Sequence, residues 1–163
     1  MNRSLLFAVI VCMLGTATAA HAEQRLVHSE RSLYREVLVY ETGDVRCMCF
    51  TRNCRVGRQS CIDTRHPDRI VMNYPKMMLG ALFVNPRPQS VLIVGLGGGT
   101  LPRALRQLLP DTRIDVVEID PAVERVASRY FGFATSEKTQ VGALHLKVMA
   151  VSASRCLYRR HPS

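Results

Sequence analysis

The chain has 163 residues, with 22 Lys+Arg against 13 Asp+Glu and a formal net charge of +9. That charge is uneven: all 13 acids fall in residues 23–137, where they meet 16 basic residues, whereas residues 138–163 carry five basic residues and no acid. The body is therefore only mildly basic, and no aromatics interleave its scattered arginines, which argues against a nucleic-acid groove while leaving adsorption to anionic surfaces open.

The N-terminus reads as an export signal. Arg3 supplies the positive start, Leu5 to Leu14 is apolar but too short to span a bilayer, and Ala20-His21-Ala22 is a small-x-small cleavage site. Residues 1–22 are thus expected to be a signal peptide, giving a mature chain from Glu23 with no stable membrane anchor. An uncleaved anchor is the alternative. Export to a bacterial periplasm is the expected localisation.

Residues 23–72 read as a β-rich module. Tyr34 to Tyr40 is rich in strand formers, Glu41-Thr42-Gly43-Asp44 is a turn, and Val45 to Phe50 alternates so that Val45, Cys47 and Cys49 share one face. Arg52 to Arg58 is turn-like, and Gln59 to Asp63 is a short return strand. Five cysteines remain after cleavage: Cys47, Cys49, Cys54, Cys61 and Cys156. In an exported chain they favour disulfides. Cys47 or Cys49 bonded to Cys61 would staple the hairpin, and the odd count leaves one cysteine over. The spacing lacks the paired ligands of a zinc knuckle, so no metal is expected.

From Tyr74 to Phe83 the pattern is helical, and Asn85-Pro86-Arg87-Pro88 breaks it. Val91 to Val94 then forms a strand that runs into Gly95-Leu96-Gly97-Gly98-Gly99. Thr100 is read as the N-cap of the next helix, with Pro102 in its first turn and Leu101, Leu105 and Leu108 on its apolar face. Arg113 to Glu118 is a buried strand, and Asp120-Pro121 opens a helix whose apolar face is Val123, Val126, Ala127 and Tyr130. Strand, glycine turn, helix and a second strand ending in an acid form a nucleotide-binding βαβ layout. Glycines permit close backbone approach to a ligand, and the acid can accept from two ribose hydroxyls. Thr100 stands where a dinucleotide fingerprint has its last glycine, which weighs against a nicotinamide or flavin cofactor. A ligand-free glycine turn is the plain alternative.

Five segments in order now resemble one family: Ser29-Glu30-Arg31-Ser32-Leu33-Tyr34-Arg35, Arg58 to Asp63, Tyr74 to Leu79, the glycine loop, and Val117-Glu118-Ile119-Asp120. Together, over residues 27–141, they look like the spermidine synthases (polyamine aminopropyltransferases), in particular their divergent bacterial branch. The resemblance implies an α/β chain: a small N-terminal β-module followed by a Rossmann-like domain of the class I methyltransferase type. It implies aminopropyl transfer from decarboxylated S-adenosylmethionine, a co-substrate, to an amine such as putrescine, with no other cofactor. Gly95, Gly97, Gly98, Gly99, Glu118 and Asp120 are the implied nucleoside-binding residues, Glu118 taking the ribose. Tyr74 matches a tyrosine near the reacting amine, though packing against the sheet would explain it equally.

The departures from the family are specific. Arg35 stands where members carry Gln, Tyr74-Pro75-Lys76-Met77 where they carry Tyr-Gln/His-Glu-Met, and Gly98 where classical enzymes have an Asp. Arg35 and Lys76 near an amine pocket would repel a diamine. After Val141 the family's Asp-Gly segment and later catalytic Asp are not found. The expected organisation is therefore a partial Rossmann-like domain over 73–141 and a divergent basic tail over 142–163, read as a frameshift or truncation, with a genuine short tail as the alternative. No catalytic acid/base is assigned, so inactivity is expected. The alternatives are an S-adenosylmethionine-dependent methyltransferase and a non-catalytic nucleoside-binding or interaction protein. A half-built sheet exposes apolar edges, which predicts self-association and allows a homodimer.

Overall fold

A computed structural model describes residues 23–143. The expected signal peptide, Cys156 and all of the basic tail beyond Ala143 lie outside the described residues.

Four strands open the structure: β1 (Arg25–Arg31), β2 (Glu36–Thr42), β3 (Val45–Cys49) and β4 (Arg58–Asp63), in the antiparallel order β1-β2-β3-β4. The expected strand over Tyr34–Tyr40 starts later. Its first residues form a turn instead, in which Ser32 Oγ accepts from the N–H groups of Tyr34 and Arg35, both at 3.1 Å. β1 has no sequence counterpart in the analysis above, because Arg25–Arg31 is mostly charged and polar and becomes a strand by pairing with β2. The β2–β3 hairpin closes on Gly43-Asp44, with Gly43 at φ 57, a left-handed conformation that glycine adopts without steric cost.

Strand alternation sends side chains to two cores. Val37, Val39, Met48 and Ile62 join the large core, while Leu38, Cys47, Cys49, Cys54 and Cys61 form a smaller one on the opposite face. Cys47 pairs with Cys61 across β3 and β4, and Cys49 with Cys54 across the intervening loop. The first bond is one of the two expected staples. The second fell outside the expected pairings.

The chain continues through α1 (Asn73–Leu79), whose expected helical extension to Phe83 tightens into a 3₁₀ turn at Gly80–Phe83. Then come β5 (Ser90–Val94), α2 (Thr100–Leu108), β6 (Arg113–Glu118), α3 (Pro121–Phe131) and β7 (Thr139–Ala143). The three strands form a parallel sheet in the order β5-β6-β7, the βαβ arrangement the sequence implied. α3 begins as expected: Asp120 Oδ1 accepts from the Ala122 N–H at 2.9 Å, and Pro121 occupies the first helical position.

α2 does not begin as expected. Gly99, at φ 72, is its N-cap, and Thr100 is already helical, its buried Oγ1 without a hydrogen-bond partner among the described residues. A side chain at position 99 would meet the Phe133 ring at 2.5 Å, so the chain reverses here on a glycine and the helix starts one residue early. Leu101 and Leu105 are buried, but Leu108 is 57% exposed and leaves the apolar face the spacing gave it.

The two sheets share one core. Val37, Val39 and Met48 pack in the same cluster as Ile93, Val116, Val126 and Phe131. Polar contacts reinforce the joint: Arg46 Nη1 donates to the Tyr130 carbonyl at 2.7 Å, Arg125 Nε donates to Glu30 at 2.9 Å, and His28 stacks on Tyr130 with ring centroids 4.8 Å apart. β5 keeps a free edge among the described residues, and its Leu92 and Val94 are 62% and 77% exposed. No described helix is long and apolar enough to cross a membrane.

Candidate functional site

The site forms where β5 and β6 end. Beyond Val94 the chain turns over the strand ends through Gly95 (φ 91) and Gly97 (φ 55), and the Gly95 N–H donates to the Val117 carbonyl at 2.8 Å. One side chain secures this turn. Glu118, the last residue of β6, accepts from the Leu96 N–H at 2.8 Å through Oε2, and from the N–H groups of Ile119 and Asp120 at 2.9 and 3.0 Å through Oε1. A carboxylate offers about four acceptor directions, so three backbone donors leave it room for a ligand hydroxyl.

A cavity of about 440 Å³ opens beside this turn, within the range of small-molecule sites. Gly95, Leu96, Gly97, Glu118, Ile119 and Asp120 line one wall, and Arg35, Phe50, Arg58, Gln59, Tyr74 and Met78 face them. It sits at the carboxyl ends of parallel strands, where open α/β sheets bind ligands. β4, the residues that flank β2 and β3, and α1 supply the opposite wall.

The implied nucleoside-binding residues divide by role. Gly95 and Gly97 line the cavity. Gly98 and Gly99 do not: a Cβ on Gly98 would meet Phe131 and the Ser60 hydroxyl at 2.8 Å, so these two glycines serve close packing against α3 and β4. Asp120 borders the cavity, yet its oxygens are taken, one by capping α3 and the other by the Ser32 hydroxyl, which donates at 2.6 Å. It acts as a tie between the helix start and the Ser32–Arg35 turn rather than as a free acid.

Tyr74 lines the cavity at 41% exposure, and its hydroxyl donates to the Gln59 carbonyl at 3.3 Å. Arg35 is there as well, its guanidinium carbon 4.4 Å from the centre of the Phe50 ring. Lys76, expected beside it, is exposed and lies outside the cavity lining; the second cation is Arg58 at the start of β4. Arg58, Phe50, Gln59 and Met78 were missed as site residues. The alternation of β3 and β4 held a signal, but not which face would meet the glycine turn. No group of three or more described His, Cys, Asp or Glu side chains is arranged to hold a metal ion.

A polyamine aminopropyltransferase from Vibrio vulnificus is 40% identical over 138 residues, covering 84% of this chain and 46% of that relative. Over that stretch the chain is similar to polyamine aminopropyltransferases, one from Neisseria meningitidis being 33% identical over 136 residues. The chain spans about half the length of the curated aminopropyltransferases it matches. An eEF1A lysine and N-terminal methyltransferase from Xenopus laevis is 37% identical over 92 residues, covering 50% of this chain and 13% of that protein. The solved structure of spermidine synthase from Thermotoga maritima superposes with a TM-score of 0.51 at 22% identity, covering 73% of this chain and 40% of that one, a likeness of fold. No protein-family model matches the chain.

Proposed function

We propose that the described residues form the nucleoside-binding part of an aminopropyltransferase-type site, which takes the adenosyl group of decarboxylated S-adenosylmethionine. The observation that carries this reading is the Gly95–Gly97 turn, clamped by Glu118 over the strand ends and opening on a cavity of about 440 Å³. In the proposed pose a ribose hydroxyl donates to Glu118, and the glycine backbone lies against the nucleoside. Tyr74, across the cavity, stands beside the acceptor amine.

In such a transfer a neutral amine attacks the carbon next to the sulfonium, a C–N bond forms, the C–S bond breaks, and methylthioadenosine leaves. The attacking nitrogen then sheds a proton to a base. Of the carboxylates lining the cavity, Glu118 is clamped by backbone N–H groups and Asp120 by a cap and a hydroxyl. Neither is poised as that base. The proposed behaviour of the 163-residue chain is therefore nucleoside binding without measurable aminopropyl transfer. Methyl transfer from S-adenosylmethionine is the second reading, supported by the methyltransferase relative.

The test compares the chain with its Glu118→Gln variant by calorimetric titration with methylthioadenosine. Removing a charged acceptor from ligand and loop costs about 1.5–3 kcal/mol, so affinity should fall about tenfold or more. Equal affinity in both proteins would contradict the reading.

A further inference from the structure

We infer that Arg35 and Arg58 form a carboxylate-accepting subsite in the cavity, so that the ligand reaching past the nucleoside position carries a carboxylate. This rests on the nucleoside-binding reading and adds the chemistry of the ligand's far end.

Both residues line the cavity and both are exposed, which sets them at its solvent side; Arg58 also borders a second cavity beside Tyr40, Cys47 and Val71 on the small-core face. The arginine ion pairs of the described residues lie elsewhere, and neither Arg35 nor Arg58 meets a carboxylate among those residues. The cavity's own acids, Glu118 and Asp120, accept from backbone and hydroxyl donors, and neither bonds to these arginines. Gln59 and Tyr74 add neutral polar groups, and Phe50 and Met78 are apolar. A diamine with two ammonium groups would meet two cations that no carboxylate pairs, whereas a carboxylate would find planar donor forks suited to bidentate hydrogen bonding.

Arg35 is also held in position. Ser32 Oγ receives the N–H groups of Tyr34 and Arg35 and donates to Asp120, so the turn that carries Arg35 is tied to the start of α3 beside the glycine turn. The Phe50 ring then supports the guanidinium face. Arg58 is set by strand register, opposite Cys49 on β3.

The carboxylate has two sources, the amino-acid tail of an intact S-adenosylmethionine or a carboxylated acceptor amine, and the experiment separates them. The full chain is titrated with S-adenosylmethionine and with its decarboxylated form. Saturated with methylthioadenosine, it is then titrated with ornithine and with putrescine, which differ by one carboxylate. The expected result is a preference of about tenfold for the carboxylate-bearing member of one pair, weakened by high salt and lost in an Arg35→Gln/Arg58→Gln double variant. The pair that shows it identifies the source. Both positions are exposed, so the variant should keep the parent's melting temperature. Methylthioadenosine binding with no carboxylate preference in either pair, or a preference that survives in the double variant, overturns the subsite alone. Absence of binding by every nucleoside overturns the underlying reading and the subsite with it.

Discussion

Glu118 and Gly99 show how single residues hold this site together. Glu118 ends a buried strand, gathers three backbone N–H groups and so fixes the glycine turn before any ligand arrives. Gly99 does its work without touching the cavity: its positive φ starts α2, and its missing side chain leaves room for the Phe133 ring. Gly99→Ala should therefore destabilise the fold by about 1–3 kcal/mol, through a strained backbone and a clash with Phe133. Chemical denaturation checks this, and an unchanged midpoint would contradict it. The glycine cluster was legible in the sequence as a ligand loop, but its division of labour was not. Which glycine faces the cavity depends on Phe131 and Phe133, over thirty residues away and invisible to any local pattern.

At the scale of elements, the junction between β1 and α3 is electrostatic as well as apolar. The hydrogen bond from Arg125 holds the Glu30 carboxyl below the ordinary glutamate range, with His28 adding to the effect against the opposing pull of burial. A carboxyl whose pKa is lowered by folding contributes stability above its unfolded value, and loses it as the pH falls through the folded one. Thermal melts from neutral to acid pH should thus show the parent losing more stability than Glu30→Gln below the ordinary glutamate range. Parallel curves would contradict this. Glu30 sits on the strand that sequence analysis did not find, for a physical reason: Arg25–Arg31 has no alternating apolar face and owes its conformation to pairing with β2. β6 and α3, with Ile114, Val116 and Val117 and an Asp-Pro start, were legible because their signals are local.

For the whole molecule, the antiparallel and parallel sheets are joined by a single hydrophobic cluster, so the cavity between them is lined from both sides. The helices and the strands β2 to β6 were legible in the sequence, but β1, β7 and the joint between the two parts were not, because Val37, Val39 and Met48 read locally as sheet positions with no stated partner. At one edge of the parallel sheet, β5 has no neighbour among the described residues, and its Leu92 and Val94 are exposed. Exposed apolar strand edges invite pairing with another chain. Sedimentation should show concentration-dependent self-association of the chain, reduced in Leu92→Lys/Val94→Lys; a monomer at all concentrations would argue against it. A crystal structure of the chain with methylthioadenosine would show whether the Glu118-clamped turn holds a nucleoside. The adenosine is expected beside Gly95 and Gly97, with a ribose hydroxyl within hydrogen-bond distance of Glu118. A nucleoside bound elsewhere, or ribose hydroxyls turned away from Glu118, would contradict that placement.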